Sequence, residues 1–430
     1  VGLSGSSSLY TDHYELTMLR AALSDGSASR PCVFEVQARR LPAGRRYGVA
    51  AGQGRLLEVL GRFRFGQAEL VALEAGGVLD AATLRYLADW SFRGDIDAVA
   101  EGEVFMPGEP LLVVSAPFAE CVVLETVVLS MLNFDSAIAA AASRMVTAAG
   151  GRPCVEMGAR RTHEEAAVAA ARAAYIAGFA STSDLEAGRR WGIPTAGTSG
   201  HAFTLLHDDE TDAFTAQVAS LGKGTTLLVD TYDVAEAVQA AVRVAGPSLG
   251  AVRLDSGDLA GVAVHVRAQL DALGARDTRI VVTSDLDEYS IAALASAPVD
   301  SYGVGTALVT GSGQPTAGFV YKMVERDGRA VRKLSPGKAG RAGRHAAGRR
   351  TDGNGTALVD VVCPGPRSED RRDERPLLHP FVRGGEPVAE VGLADARAWH
   401  ARALSELPAA AHALSYGDPA LQVLTAGEVP

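Results

Sequence analysis

Between residues 126 and 325 short apolar runs recur along the chain, each ending in polar or ionisable residues and giving way to a longer Ala-rich or amphipathic stretch. Residues 153–157, 193–196, 225–229, 251–254, 279–283 and 301–304 have the length and β-branched content of strands. Residues 164–177, 234–244, 259–273 and 288–295, which lie between these runs, have helical length and spacing. Such alternation predicts a parallel sheet with crossover helices, and its extent favours an irregular, TIM-like (β/α) barrel. A doubly wound open sheet is the alternative architecture, but no GxGxxG turn follows an early strand.

The pattern before residue 126 is different. Thr11 or Asp12 can cap a helix carrying Tyr14, Leu16 and Leu19. Residues 32–38 alternate like a half-exposed strand and run into Arg39, Arg40, Arg45 and Arg46. Residues 52–92 read as helical, and 95–123 as a small β unit turning at Pro107-Gly108-Glu109-Pro110. The expected organisation is an N-terminal α+β domain over 1–125 and a barrel domain over 126–330. A C-terminal segment, 331–430, is expected to pack back on the first domain and complete it. That segment opens with a basic Gly/Ala-rich loop at 338–350, read as a solvated connection or, alternatively, as a cover over ATP or pyrophosphate. A strand at 357–363 and a helix near 394–407 follow.

Composition narrows the function. A chain of 430 residues with 47% hydrophobic content has enough apolar material for two cores. A net charge of −10 speaks against broad nucleic-acid binding and leaves small anions, met by local arginines, as the charged partners to expect. The most apolar stretch, 111–132, is interrupted by Pro117, Glu120 and Glu125, so it is expected to be a buried strand and helix and not a membrane span. Cys32, Cys121, Cys154 and Cys363 show no CxxC or zinc-ligand spacing, the usage of reduced thiols in a cytoplasmic protein. No signal-peptide pattern follows Val1.

In a barrel the chemistry sits at the carboxyl ends of the strands, and the residues there are of functional type. In order they are Arg160 and Arg161; Thr198 and His201 in the turn Gly197-Thr198-Ser199-Gly200-His201; Asp230; Arg253, Asp255, Ser256 and Asp258; Ser284, Asp285 and Asp287; then Gly303, Gly305 and Thr306. Singly each has a plainer role, as a helix cap, a surface charge or a turn glycine. Together they have a logic: amides at helix starts and arginines take phosphate oxygens, while carboxylates take sugar hydroxyls or a metal's waters. A phosphorylated sugar is the ligand this set suits.

The motifs extend over nearly the whole chain: Thr11-Asp12-His13-Tyr14, Glu156-Met157-Gly158-Ala159-Arg160-Arg161, Ala174-Tyr175-Ile176-Ala177-Gly178-Phe179, Gly197-Thr198 with His201, Arg253-Leu254-Asp255-Ser256-Gly257-Asp258-Leu259, Ser284-Asp285-Leu286-Asp287-Glu288, Gly303-Val304-Gly305-Thr306 and Lys333-Leu334-Ser335. In this order they resemble the nicotinate phosphoribosyltransferases, type II enzymes grouped with the nicotinamide and quinolinate ones. The resemblance implies that nicotinate displaces pyrophosphate from phosphoribosyl pyrophosphate to give nicotinate mononucleotide in NAD salvage. It implies Mg²⁺ and ATP as co-substrate, with ATP hydrolysis coupled through a phosphohistidine at His201. Asp255 and Arg253 would be catalytic, and Asp285 would neighbour Asp255. Arg253 and Thr198 would meet the pyridine or its carboxylate, Arg160 and Arg161 phosphate and ring, and Gly305 and Thr306 the 5-phosphate, with Ser256 and Gly257 also binding substrate. Asp255 and Asp258 are the metal candidates, acting through water. Tyr14 would stack on the ring from a neighbouring subunit, which implies a homodimer. A nicotinamide-specific enzyme and a non-catalytic metabolite-binding relative are the competing functions. Three positions depart from the pattern: Met157 where an aromatic is usual, Ser181-Thr182-Ser183-Asp184 in place of a Gly-Thr-Ser-Asn turn, and Ala202 where serine is common.

Overall fold

The computed structural model describes residues 6–334, 341–366 and 374–428. The chain divides into two compact units, one formed by Val1–Ala140 with Thr316–Pro430 and the other by Ala141–Pro315. The second unit holds a six-stranded parallel sheet. Its spatial order is Ser181–Thr182, Cys154–Glu156, Ser301–Val304, Arg279–Val282, Ala251–Leu254 and Thr226–Leu228. Numbered along the chain this is 2-1-6-5-4-3, the circular order of a barrel with one pairing, between the second and third strands, missing. The sheet is therefore an irregular TIM-like barrel left open at one place. Strand interiors such as Val252, Ile280, Tyr302 and Val304 are fully buried, as parallel strands covered by helices require. The covering helices, among them Glu164–Ile176, Val234–Ala245 and Leu259–Ala272, carry the predicted apolar faces.

One predicted strand is absent. Residues 193–196 make only an isolated bridge, Thr195 with Thr182. Pro194 has no N–H to donate to a ladder, and its carbonyl instead accepts from Thr182 N at 3.0 Å. The second strand is Ser181–Thr182, which the sequence presents as a turn; Ser183 N continues the pairing by donating to Glu156 O at 2.8 Å.

The first unit is built on a seven-stranded antiparallel sheet in the order Arg329–Ala330, Phe319–Arg326, Pro31–Ala38, Pro110–Pro117, Asp95–Val99, Leu378–Arg383 and Glu386–Pro387. Pro31–Ala38 is not half-exposed as its alternation suggests. It has a neighbour on each side and is covered on both faces, with Phe34 and Val36 in the main core and Val33 against Val113 and Val324. Glu35, buried in this strand, receives the backbone N–H of His345 at 2.7 Å. The helices His13–Asp25, Gln53–Leu60, Gln67–Ala75 and Ala81–Ala88 supply Leu19, Leu56, Leu73 and Leu87, respectively, to the same core.

The basic stretch expected as a loop at 338–350 differs as well. Residues 338–340 lie outside those described, and His345–Thr351 is a strand of a four-stranded sheet with Glu374–Pro376, Ala357–Pro364 and Gln422–Thr425. Arg349 explains why a basic segment can do this. Fully buried, it donates Nε and Nη2 to the two oxygens of Asp360, each at 2.8 Å, and Nη1 to Glu103 at 3.1 Å. Its charge is matched inside the unit, and these bonds hold its pKa well above the ordinary arginine value despite burial.

Among the described residues one helix, Glu125–Ala149, is long and apolar enough to cross a membrane, but 67% of its apolar window is buried within the protein. All four cysteines are buried and unbridged.

Candidate functional site

All six parallel strands end at the same edge of their sheet, so the loops that follow them converge there. The centre of that edge is Arg253, on the Ala251–Leu254 strand. Its guanidinium donates Nε to Thr283 Oγ1 at 2.9 Å, Nη1 to Thr198 Oγ1 at 2.8 Å and to Ser199 O at 3.1 Å, and Nη2 to Asp255 at 3.0 Å. One side chain thereby ties together two strand ends and the Gly-rich turn before His201. Asp255 receives Arg253 and the Thr283 hydroxyl on one oxygen. Burial works against its charge, but the hydroxyl and guanidinium outweigh it, and its pKa lies below the usual carboxylate value. The second Asp255 oxygen faces His201 Nε2 at 3.8 Å.

His201 opens the short His201–Leu205 helix with 42% of its side chain exposed. Its Nδ1 lies 3.2 Å from Thr231 Oγ1. Thr231 follows Asp230, one of whose oxygens accepts from the Asp255 backbone N–H at 2.9 Å and from the Ser256 hydroxyl at 2.6 Å. The Asp230-Thr231 pair therefore holds both the carboxylate turn and the imidazole. Asp230's other oxygen is buried with no hydrogen-bond partner, as is one oxygen of nearby Glu210. Burial first, then the charges of Asp230 and Asp233, push Glu210 up to about 7.

The other predicted residues stand on neighbouring loops of the same edge. Arg160 and Arg161 are exposed after Cys154–Glu156, Asp285 is exposed after Arg279–Val282, and Gly305 caps the Thr306–Val309 helix with Thr306 exposed. Gly257 adopts φ +83°, and Asp258 caps the Leu259–Ala272 helix by accepting from Gly261 N at 3.3 Å. Ser284, just past its strand, has φ +91°, a strained value for serine of the kind that gathers at functional sites. Close packing requires Gly303, where a Cβ would meet Thr283 Cγ2 at 2.6 Å and Met157 Sδ at 2.7 Å. Met157 thus fills space beside the sixth strand. Hydrogen bonds join Thr198, Asp230, Arg253, Asp255 and Ser256, and His201 faces this cluster through its 3.8 Å approach to Asp255. Among the described residues no hydrogen bond or ion pair joins Arg160, Arg161, Asp285 or Thr306 to that cluster.

Tyr14 belongs to the first unit, on the His13–Asp25 helix capped by Asp12. Tyr14 is 43% exposed, and Met18 one turn further along the helix and Tyr10 in the separate Ser8–Tyr10 turn that precedes it are exposed too. Burial of the Tyr14 hydroxyl and a hydrogen bond to Glu125 raise its pKa.

Thr231, Thr283 and Glu210 do not stand out in the sequence, nor does a cavity of about 180 Å³ in the first unit lined by Arg39, Lys322, Met323, Val324, Arg332, Lys333 and Arg341. Five of those side chains are cationic and none is acidic. Lys322 is held below its ordinary pKa, by burial first and then by Arg39. Arg39 and Lys333 were visible as basic residues, but the pairing of Pro31–Ala38 with Phe319–Arg326 that brings them to one cavity was not. A second cavity, walled by residues such as Val99, Phe381 and Trp399, has no lysine or arginine in its lining.

Nicotinate phosphoribosyltransferase pncB1 of Mycobacterium tuberculosis is 58% identical to this chain over 97% of it and 95% of the relative. The chain belongs to the nicotinate phosphoribosyltransferase family. Residues 9–133 match the model of the nicotinate phosphoribosyltransferase N-terminal domain. The crystal structure of human nicotinic acid phosphoribosyltransferase superposes with a TM-score of 0.83 at 26% identity, covering 97% of this chain and 98% of the human one. The structure of nicotinate-nucleotide pyrophosphorylase from Pyrococcus furiosus gives 0.78 at 25% identity, covering 93% and 95%. As a nicotinate phosphoribosyltransferase, this chain is an enzyme of NAD biosynthesis.

Proposed function

We infer that this enzyme joins the ring nitrogen of nicotinate to the anomeric carbon of phosphoribosyl pyrophosphate, releasing pyrophosphate, and that the Arg253–Asp255–His201 cluster is where it does so. The observation that carries the assignment is the Asp255 carboxylate at the strand ends, locked by Arg253 and Thr283 and facing an exposed imidazole. As the bond to pyrophosphate breaks, the leaving group keeps the electron pair and the ribosyl ring becomes cation-like. A fixed carboxylate beside it stabilises that charge without having to reorganise. Arg253, its donors engaged by Thr198, Ser199, Thr283 and Asp255, serves chiefly to hold the carboxylate and the turn. The exposed Arg160 and Arg161 are suited to phosphate and ring, Ser256 and Gly257 to the sugar, and Gly305 and Thr306 to the 5-phosphate.

ATP is coupled, in this reading, by phosphorylation of His201. With the proton on Nδ1 donated to Thr231, the Nε2 lone pair is the one available to accept the phosphoryl group, next to Asp255. The basic cavity of the first unit suits a polyphosphate chain, of ATP or of the pyrophosphate product. Mg²⁺ fits the residues present: no group of three acidic, histidine or cysteine side chains among the described residues could cage a metal alone. Asp255 and the unpartnered oxygen of Asp230 nevertheless offer the one or two carboxylates that Mg²⁺ would use alongside substrate phosphates, and Asp258 would take part only through a water. When bound, Mg²⁺ neutralises the departing pyrophosphate. The exposed Tyr10, Tyr14 and Met18 support a homodimer in which Tyr14 serves a neighbouring site. The absence of any bridge among the buried thiols accords with a cytoplasmic enzyme.

The test is a mixture of protein, Mg²⁺ and phosphoribosyl pyrophosphate with nicotinate or nicotinamide, with and without ATP, followed by mass. Nicotinate mononucleotide should form, faster with ATP. Preference for the amide would reassign the substrate, and no turnover with either would leave a metabolite-binding relative.

A further inference from the structure

The loop after the Ser301–Val304 strand passes from Gly305 through the Thr306–Val309 helix to Gly313. Its far end is fastened by groups that the reaction described above does not use. Glu288, 2% exposed, begins the Glu288–Ala293 helix; one of its oxygens accepts from Arg144 Nε at 3.1 Å and the other from the Ser312 hydroxyl at 2.7 Å. Arg144 also donates Nη2 to Tyr289 Oη at 3.3 Å. The ion-paired side chains are only 5% and 3% exposed, a setting in which a displaced charge is costly and the geometry is held firmly.

The backbone says why this matters. Gly311, Ser312 and Gly313 are three consecutive residues in the left-handed region, with φ of +61°, +53° and +79°. Glycine adopts such values freely, whereas serine pays in strain and stays there only when its surroundings hold it. A serine between two glycines, in a conformation that a third glycine would take more easily, points to a use for its hydroxyl. That hydroxyl is the one bound by Glu288. Ser312 N in turn donates to Ala307 O at 2.6 Å, which links the anchor to the residue beside Thr306.

We propose that Arg144 and Glu288 are positioning residues that, through Ser312, fix the Gly305–Gly313 loop in the shape that grips the 5-phosphate of phosphoribosyl pyrophosphate. The inference rests on reading that loop as the phosphate site. Neither residue touches substrate; each acts by keeping the start of the Thr306–Val309 helix in place.

Steady-state kinetics with phosphoribosyl pyrophosphate varied, at saturating nicotinate and ATP, tests it on Ser312→Ala, Glu288→Ala, Glu288→Gln and Thr306→Ala. Loss of one hydrogen bond to a charged acceptor corresponds to about tenfold. Ser312→Ala should therefore raise KM for phosphoribosyl pyrophosphate by about that factor, with kcat within about twofold and KM for nicotinate unchanged. Glu288→Gln, which keeps an acceptor for Ser312, should recover most of what Glu288→Ala loses. A purely structural role would lower melting temperature and kcat and leave KM alone, which would overturn the proposal. If Thr306→Ala raises KM while Ser312→Ala does not, the anchor is wrong and the phosphate loop stands. If Thr306→Ala leaves KM unchanged, the loop reading falls and the anchor falls with it.

Discussion

Asp255 and His201 face each other across 3.8 Å in different environments, and the proposed function gives them different work. Asp255 is partly buried and held charged by bonds from Thr283 and Arg253, so it suits a cation-like ribosyl centre; His201 is more exposed and can be reached by a nucleotide. Asp255→Ala should lower kcat/KM by about 100-fold or more with and without ATP, whereas His201→Ala should keep basal transfer and lose its stimulation by ATP, both measured as mononucleotide formed. A different residue contributes to the pH dependence of stability. Glu109, fully enclosed beside Asp360, is raised well above the ordinary carboxyl value, by burial first and by that neighbour's charge second. With its proton on, Glu109 can donate to Asp360, whose charge Arg349 already matches. The folded chain therefore binds more protons than the unfolded one above about pH 4.5, and stability contributed here falls as pH rises from that point. Glu109→Gln should flatten that fall and stabilise the protein in denaturant melts at pH 8 relative to the parent. Thr198, His201, Arg253, Asp255 and Ser256 stood out as candidates in the sequence because each charged or hydroxyl group follows an apolar run, and the structure gathers them at one edge of the parallel sheet. Thr231 and Thr283 did not, since a threonine at a strand end looks the same whether or not its hydroxyl holds a catalytic group.

At the level of elements, the parallel strands 251–254 and 301–304 begin and end where the apolar runs do, because each run is bounded by glycine, proline or charge. Residues 193–196 carry the same apolar signal and fail, since the missing N–H of Pro194 is a local fact while strand pairing is a long-range one. The fully covered Pro31–Ala38 shows the same limit: alternation predicts one wet face, and the neighbours that dry it lie far away in sequence. Packing between elements gives a direct test at Gly158. A Cβ there would stand 2.2 Å from Val309 Cγ1, 3.0 Å from Glu156 Oε1 and 3.1 Å from Gly305 O, squeezed between the first strand's loop and the Thr306–Val309 helix. Gly158→Ala should destabilise by about 1–3 kcal/mol in a denaturant melt and weaken phosphoribosyl pyrophosphate binding more than nicotinate binding. Equal loss for both ligands would mean the strain spreads without moving that helix.

On the scale of the whole chain, the Ala141–Pro315 unit is continuous, whereas its companion is assembled from both ends of the polypeptide. Phe319–Arg326 and Leu378–Arg383 are interior members of the seven-stranded sheet, each with a paired strand on either side. A chain stopped after Pro315 should therefore be recovered as insoluble or protease-sensitive material over residues 6–140, with its 141–315 portion protected in limited proteolysis. Equal protection of both portions would show that the early strands close without their late partners.

That arrangement has a consequence for how the protein is made. On the ribosome, Pro31–Ala38 meets Pro110–Pro117 early but must wait for Phe319–Arg326 until all of residues 141–315 have been translated. During that interval one edge of a largely apolar strand stays open, an invitation to mispair with a neighbouring nascent chain. Yield from a fast-translating host should thus depend on chaperone supply, and slower synthesis at low temperature should raise the soluble fraction.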